Sequence, residues 1–183
     1  TDQLGVILAL DGTGESNIVW GNRKQAAIAA QTGWFFSQDK DGDSTTFDPT
    51  NATRVTNLFK FHALDSGEHA NRDYKISIMD IKPPTDNFNK YGTFTVLVRG
   101  GKDNDNVPII LERYSGINLN PNSLNFISRV IGDRYYSYSE DNKTITELGN
   151  YPNRSKYVRV EVSANVSPGN EAQDGLMPYG VRG

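Results

Sequence analysis

The chain of 183 residues contains no cysteine and only two histidines. The first absence excludes thiol nucleophiles, cysteine-ligated zinc, iron–sulfur clusters and a disulfide scaffold. The second leaves almost no material for a histidine-rich metal site. Basic charge is not in excess either. Against 19 Lys and Arg stand 22 Asp and Glu, a net charge of −3, and no stretch is strongly basic. A nucleic-acid surface is disfavoured on that ground, because phosphate affinity rests on clustered Lys and Arg. Long apolar runs are also missing. The longest, Gly5 to Leu10, is strand-sized, far short of the about 20 residues that span a bilayer. The chain opens Thr1-Asp2-Gln3 without Met or a signal-peptide core. It closes abruptly after Tyr179-Gly180-Val181-Arg182-Gly183. Both ends are expected of a piece cut from a longer polypeptide; a mature secreted domain is the alternative.

What is present reads mainly as β-structure. A strand over Leu4–Leu10 leads through the turn Asp11-Gly12-Thr13-Gly14 to an extended Asn17–Trp20. Arg23–Gln31, rich in alanine, is the best helix-forming run, with Gly33 placed to end it. Residues 38–56 form a long polar, acidic loop. Leu58–Ala63 alternates, with Phe59, Phe61 and Ala63 on one face, and Asp65–Glu68 turns the chain. Tyr74–Ile81 places Tyr74, Ile76, Ile78 and Asp80 on one side, and Pro83-Pro84 closes the strand. Thr93–Arg99 and Val107–Tyr114 are expected as an antiparallel hairpin. Asn120 as cap, Pro121 at the first position and Gly132 after the end predict a helix over 121–131, with Leu124, Ile127 and Ile131 as its stripe. Further strands are expected at Tyr135–Tyr138 and Tyr157–Val162. The predicted fold is α+β, predominantly antiparallel sheet and sandwich-like, with two or so packed helices. Its divisions are an N-terminal part (1–57), a β-rich domain (58–167) and an irregular tail (168–183).

The candidate chemistry is thin. Asp39, Asp41 and Asp43, with Asp48 beyond, alternate as calcium ligands do. The EF-hand loop needs Gly at its sixth position and Glu at its twelfth, and Ser44 and Thr50 stand there instead. A solvated acidic loop is the better account. Asp11-Gly12-Thr13-Gly14 lacks the Gly-Lys-Ser/Thr of a phosphate loop and the third glycine of a dinucleotide fingerprint, so a tight turn is expected there. His62 and His69 are expected at the surface. Asp65, Ser66 and His69 lack the strained elbow that a nucleophilic serine needs. Tyr135, Tyr136, Tyr138, Tyr151 and Tyr157 cluster late in the chain, where they can serve as sheet and core material or present a stacking surface. Residues alone therefore name no catalytic group, cofactor or metal.

Residues 58–162 carry a resemblance. Leu58-Phe59-Lys60-Phe61-His62-Ala63 is followed by Gly67-Glu68, Asn71 and then Tyr74-Lys75-Ile76-Ser77-Ile78. Tyr91 to Arg99 continues the series, and Ile110-Leu111-Glu112-Arg113-Tyr114 leads into Leu119-Asn120-Pro121-Asn122-Ser123. Val130-Ile131-Gly132-Asp133 and Ser155-Lys156-Tyr157-Val158 complete it. This order resembles the middle region of tail sheath proteins of contractile bacteriophages. The resemblance implies a structural, non-enzymatic role: a subunit that polymerises around a tail tube and contracts to drive it through the host envelope. It implies no cofactor and no metal. The implied partners are other sheath subunits, and the tail tube through regions outside this sequence, with no nucleic acid or membrane. The implied place is the virion tail, assembled in the host cytoplasm, and the piece alone is expected to be monomeric. The rival is a bacterial adhesin or carbohydrate-binding β-module. For the acidic loop the expected outcome of a calcium titration is an unchanged melting midpoint; a rise on adding calcium marks Asp39, Asp41 and Asp43 as ligands.

Overall fold

The computed structural model describes residues 29–38, 55–66, 69–85, 91–139, 141–166 and 177–183. The first strand and turn of the chain, the acidic loop and its aspartates lie outside the described residues.

The first sheet is organised by β3 (Asn57–Ser66), whose edges take β1 (Ala29–Gln31), β2 (Phe35–Phe36) and β9 (Val158–Val162), all antiparallel. Of the alanine-rich run expected as a helix, Arg23 to Ile28 lie outside the described residues, and its end, Ala29–Gln31, is extended: Ala29 pairs with Ser66 and Gln31 with His62. A ladder to an apolar strand outweighs the few tenths of a kcal/mol per residue that alanine prefers the helix. Between β1 and β2 the pairing is broken, and the Thr32 hydroxyl accepts the Phe61 amide at 3.0 Å.

The second sheet has the order β4 (Tyr74–Lys82), β5 (Thr93–Gly100), β6 (Ile110–Ile117), again antiparallel. The expected hairpin is present, with its second strand three residues later than the sequence predicts. Side chains of the connecting turn cause the delay. Asn104 Oδ1 accepts the amides of Asn106 and Val107, and Asp103 Oδ2 accepts that of Ile109, so these residues are held in the turn. In β4, Asp80 has a φ of 52° and is exposed at a register break, so it leaves the inward phase predicted for it.

Among the described residues two short helices accompany the sheets, α1 (His69–Asp73) and α2 (Ile127–Ile131). The helix expected over 121–131 is only its last turn and a half. Asn120 Oδ1 accepts the Asn122 amide at 3.0 Å, Asn118 donates to the Ser123 hydroxyl at 3.0 Å, and the Ser123 hydroxyl accepts the Asn125 amide at 3.1 Å. These side chains satisfy the backbone locally and compete with helix formation. Phe126 is bridged to Asn118, which keeps it extended and starts the helix one residue later. Leu124, expected in the core, is 78% exposed, whereas Ile127 and Ile131 are fully buried. Gly132 ends the helix as expected, at a φ of 111°.

β7 (Tyr135–Ser139) and β8 (Thr144–Leu148) form a separate two-stranded hairpin, whose second strand the sequence reading missed. Residues 177–183 contain no regular element, yet Pro178 bridges to Ser37 and Val181 to Ile78, so the segment touches both sheets.

One hydrophobic cluster joins the sheets. Phe59 of the first and Phe94 of the second stack with centroids 5.6 Å apart and 2° between planes, and Phe35 and Phe61 pack around Phe59 at 5.3 and 5.6 Å. Phe59→Ala is expected to lower the unfolding free energy by about 3–5 kcal/mol. Leu124→Ala should stay within about 0.5 kcal/mol; urea melts of the two variants check both.

Candidate interaction surface

Three polar arrangements and one hairpin stand out from the core. The first is centred on Arg99, the last polar side chain of the apolar run in β5 and 3% exposed. Its guanidinium donates to both carboxylate oxygens of Asp103 at 2.8 and 2.9 Å, to Asp105 at 3.0 Å, to the Ser77 hydroxyl at 3.1 Å and to the Arg182 carbonyl at 2.6 Å. Lys75 adds an ion pair to Asp103 at 2.9 Å. Arg99 beside it holds the Asp103 carboxyl down at about 2, against the opposing effect of burial, with Lys75 and the Ile109 amide helping. Sequence reasoning passed over this group. Its signal was an arginine ending an apolar strand, with two aspartates in the following turn. The arrangement pins residues 180–183 to the edge of β4, where Ile78 and Val181 exchange two backbone hydrogen bonds at 2.7 and 3.0 Å.

The second arrangement joins distant segments through Glu112. Its carboxylate accepts the Ser155 hydroxyl at 2.6 Å, the Lys156 amide at 2.9 Å and the Tyr114 hydroxyl at 3.0 Å. The Ser155 oxygen in turn accepts the amides of Tyr157 and Val158, each at 3.1 Å. Burial pushes the Tyr114 hydroxyl up to about 12.

The third corrects the expectation for His62. It is half-buried, with Nε2 2.6 Å from Glu161, which also pairs with Lys60 at 3.3 Å. Burial lowers its pKa, against the hydrogen bond to Glu161. Strand phase alone predicts exposure, but β9 lies alongside and covers the ring. His69 is exposed as expected, on α1, with Asp73 at 2.8 Å and Arg72 at 3.4 Å. Those partners belong to its own helix, while Asp65 and Ser66 end β3. Among the described residues no cluster of His, Asp and Glu suits a metal ion, and no helix is long and apolar enough to cross a membrane.

The tyrosines divide. Tyr151 lies under Arg129 and against Phe126, and Tyr157 packs on Tyr74. Tyr135 is covered by the Arg159 guanidinium at 4.4 Å. Tyr136 and Tyr138 are 73% and 56% exposed, and Ile145, opposite Tyr138 on β8, is 71% exposed. These three share the outer face of the β7–β8 hairpin. Its base is rigid. The side-chain amide of Asn153 bonds the Arg134 amide and carbonyl at 3.0 and 2.9 Å, and Asp133 Oδ1 accepts the amides of Asn150 and Tyr151. Gly132 abuts Asn153 so closely that a Cβ there would meet its Cα at 2.3 Å. A second apolar patch, Val107, Ile109 and Ile110, is exposed just before and at the start of β6, an edge strand.

The chain finds no match among protein-family models, curated proteins or solved structures.

The Arg99 group sets a pH dependence. A carboxyl ordinarily titrates at about 3.9 when unfolded. The folded value is depressed, so the stabilisation is full above that range and is lost as pH falls from about 4 through about 2. Urea melts over this window are expected to show a steeper acid loss of stability for the wild type than for Asp103→Asn.

Proposed function

We propose that this chain is a structural segment of a contractile bacteriophage tail sheath subunit, a building block of the virion tail, with no catalytic role. The observation that carries the reading is the Glu112 knot. Two motifs of the resemblance, Glu112-Arg113-Tyr114 and Ser155-Lys156-Tyr157-Val158, stand 43 residues apart between Glu112 and Ser155, yet meet through one carboxylate. A third, Val130-Ile131-Gly132, joins them, since the Ile131 carbonyl accepts the amides of Arg154 and Ser155 at 2.8 and 3.2 Å. Residues that resemble the family are thus the ones that hold neighbouring elements in register. In the same reading the two sheets close as a sandwich-like pair across the Phe59–Phe94 stack, a rigid body suited to repetition. The implied partners are further sheath subunits, and the tail tube through parts outside this sequence.

The exposed tyrosines Tyr136 and Tyr138 favour one rival, a carbohydrate-binding or adhesin module in which they stack on sugar rings. The two readings separate cleanly. Electron microscopy of the parent protein is expected to give a helical tube into whose map this domain fits. A parent that stays monomeric under all conditions, with tyrosine signals that shift on adding simple sugars, would transfer the assignment to the rival. For the knot itself, Glu112→Ala is expected to cost about 2 kcal/mol of stability by chemical denaturation, because it leaves the buried Ser155 hydroxyl without its charged acceptor.

A further inference from the structure

Two arginines that lose solvent on folding are answered differently by their surroundings. The Arg99 fork is filled by the carboxylates of Asp103 and Asp105. Arg159, half-buried on β9, makes no hydrogen bond or ion pair among the described residues. Its guanidinium carbon lies 4.4 Å from the centre of the Tyr135 ring. The carboxylates whose charge it feels are engaged elsewhere: Glu161 with Lys60 and His62, and Asp133 with the amides of Asn150 and Tyr151. Stacking occupies the flat face of a guanidinium and leaves its in-plane N–H fork for another group. That fork is within reach of solvent, because the one buried and unpaired side-chain polar atom among the described residues is the Tyr74 hydroxyl. A cation held partly out of water without an anion is a standing demand for one.

Arg159 borders a recess of about 620 Å3 between the β7–β8 hairpin and strands β1 and β3, shared with Arg134, Tyr136, Glu147 and Asn153. Sites for small ligands have this size. Tyr136 brings an exposed aromatic ring to it, a surface on which the apolar face of a pyranose stacks. Glu147, held by Arg134 at 3.3 Å, keeps further oxygen lone pairs for hydroxyl donors. The walls are set in advance: Asn153 bonds the Arg134 amide and carbonyl, and Arg159 stands on a strand paired to β3. Little ordering is therefore spent on binding.

We infer that this recess binds an acidic saccharide and that a hexuronate is the unit it recognises. The sugar carboxylate takes the Arg159 fork, the ring lies on Tyr136, and ring hydroxyls donate to Glu147. A neutral sugar leaves the fork unanswered, and a bare carboxylate leaves the tyrosine uncovered. The site goes beyond the sheath reading and does not rest on it.

Titrations of the whole 183-residue chain with sodium glucuronate, glucose and acetate, followed by 1H–15N NMR at constant ionic strength, test the inference. Glucuronate is expected to shift the amides of Tyr136, Glu147 and Arg159 and to bind at least about ten times more tightly than glucose or acetate. Arg159→Gln should remove that preference over glucose. Arg159→Lys should recover little of it, because an ammonium keeps the charge without the fork. Tyr136→Ala, at an exposed position, should weaken glucuronate about ten-fold and leave acetate unchanged. Melting curves establish that each variant is folded, and the Tyr136 variant carries the test if Arg159→Gln is not. Equal binding of glucuronate and acetate marks a plain carboxylate site, such as one for an acidic peptide, and overturns the saccharide. Equal binding of glucose, or no shift at Arg159, overturns the role of the fork. None of these results touches the sheath reading, which the helical map of the parent decides.

Discussion

Two phenylalanine rings lying face to face, Phe59 and Phe94, are the contact on which the remaining structure depends. Each belongs to a strand bonded to neighbours on both edges, so each ring is delivered by a fixed backbone. Around the pair are gathered the residues that make one core out of two sheets: Phe35 and Phe61 from the first, Val96 and Val98 from the second, and Ile127 and Ile131 from the helix laid against β9 and β6. Burial of this kind is non-directional and supplies most of the stabilisation. Orientation comes from elsewhere. The Glu112 knot sets the approach of residues 155–158, and the Arg99 group sets that of residues 180–183. Both are charge-assisted and both join segments far apart in the chain, so they fix placement that hydrophobic contact alone leaves loose.

What was legible in the sequence was local and periodic. The alternation of Phe59, Phe61 and Ala63 marks β3, and the apolar run from Phe94 to Val98 marks β5. Pro83 after β4 and Gly132 after α2 fall where the backbone demands them. The failures share a cause. Ala29 to Gln31 has the composition of a helix, but the edge of β3 offers it a ladder. Asn120-Pro121-Asn122-Ser123 carries genuine helix-start residues, and the same side chains bond the backbone in a turn before a helix can form. His62 has the phase of a surface residue, and only a strand about a hundred positions later covers it. In each case the deciding partner is distant in sequence, or is a side chain with two competing uses.

The candidate site was less legible than the fold. Tyr136 and Tyr138 belong to a cluster that the sequence singles out, but nothing in it separates them from Tyr151 and Tyr157, which are packed. Exposure is a property of the finished hairpin. The Arg99 group was invisible for a related reason. Its five acceptors come from β4, the turn after β5 and the last residues of the chain, and no spacing rule links them.

The pairing of β3 with β9 has a consequence for synthesis. His62 and Glu161 are 99 positions apart, so while the chain emerges from a ribosome the first sheet has one open edge until nearly all of these residues have been made. The second sheet is different: β4, β5 and β6 follow one another, and their hairpins close as soon as each strand appears. Nascent chains are therefore exposed longest at Phe59 and Phe61, and a pause in translation between residues 117 and 158 would leave those rings as the surface a chaperone has to shield.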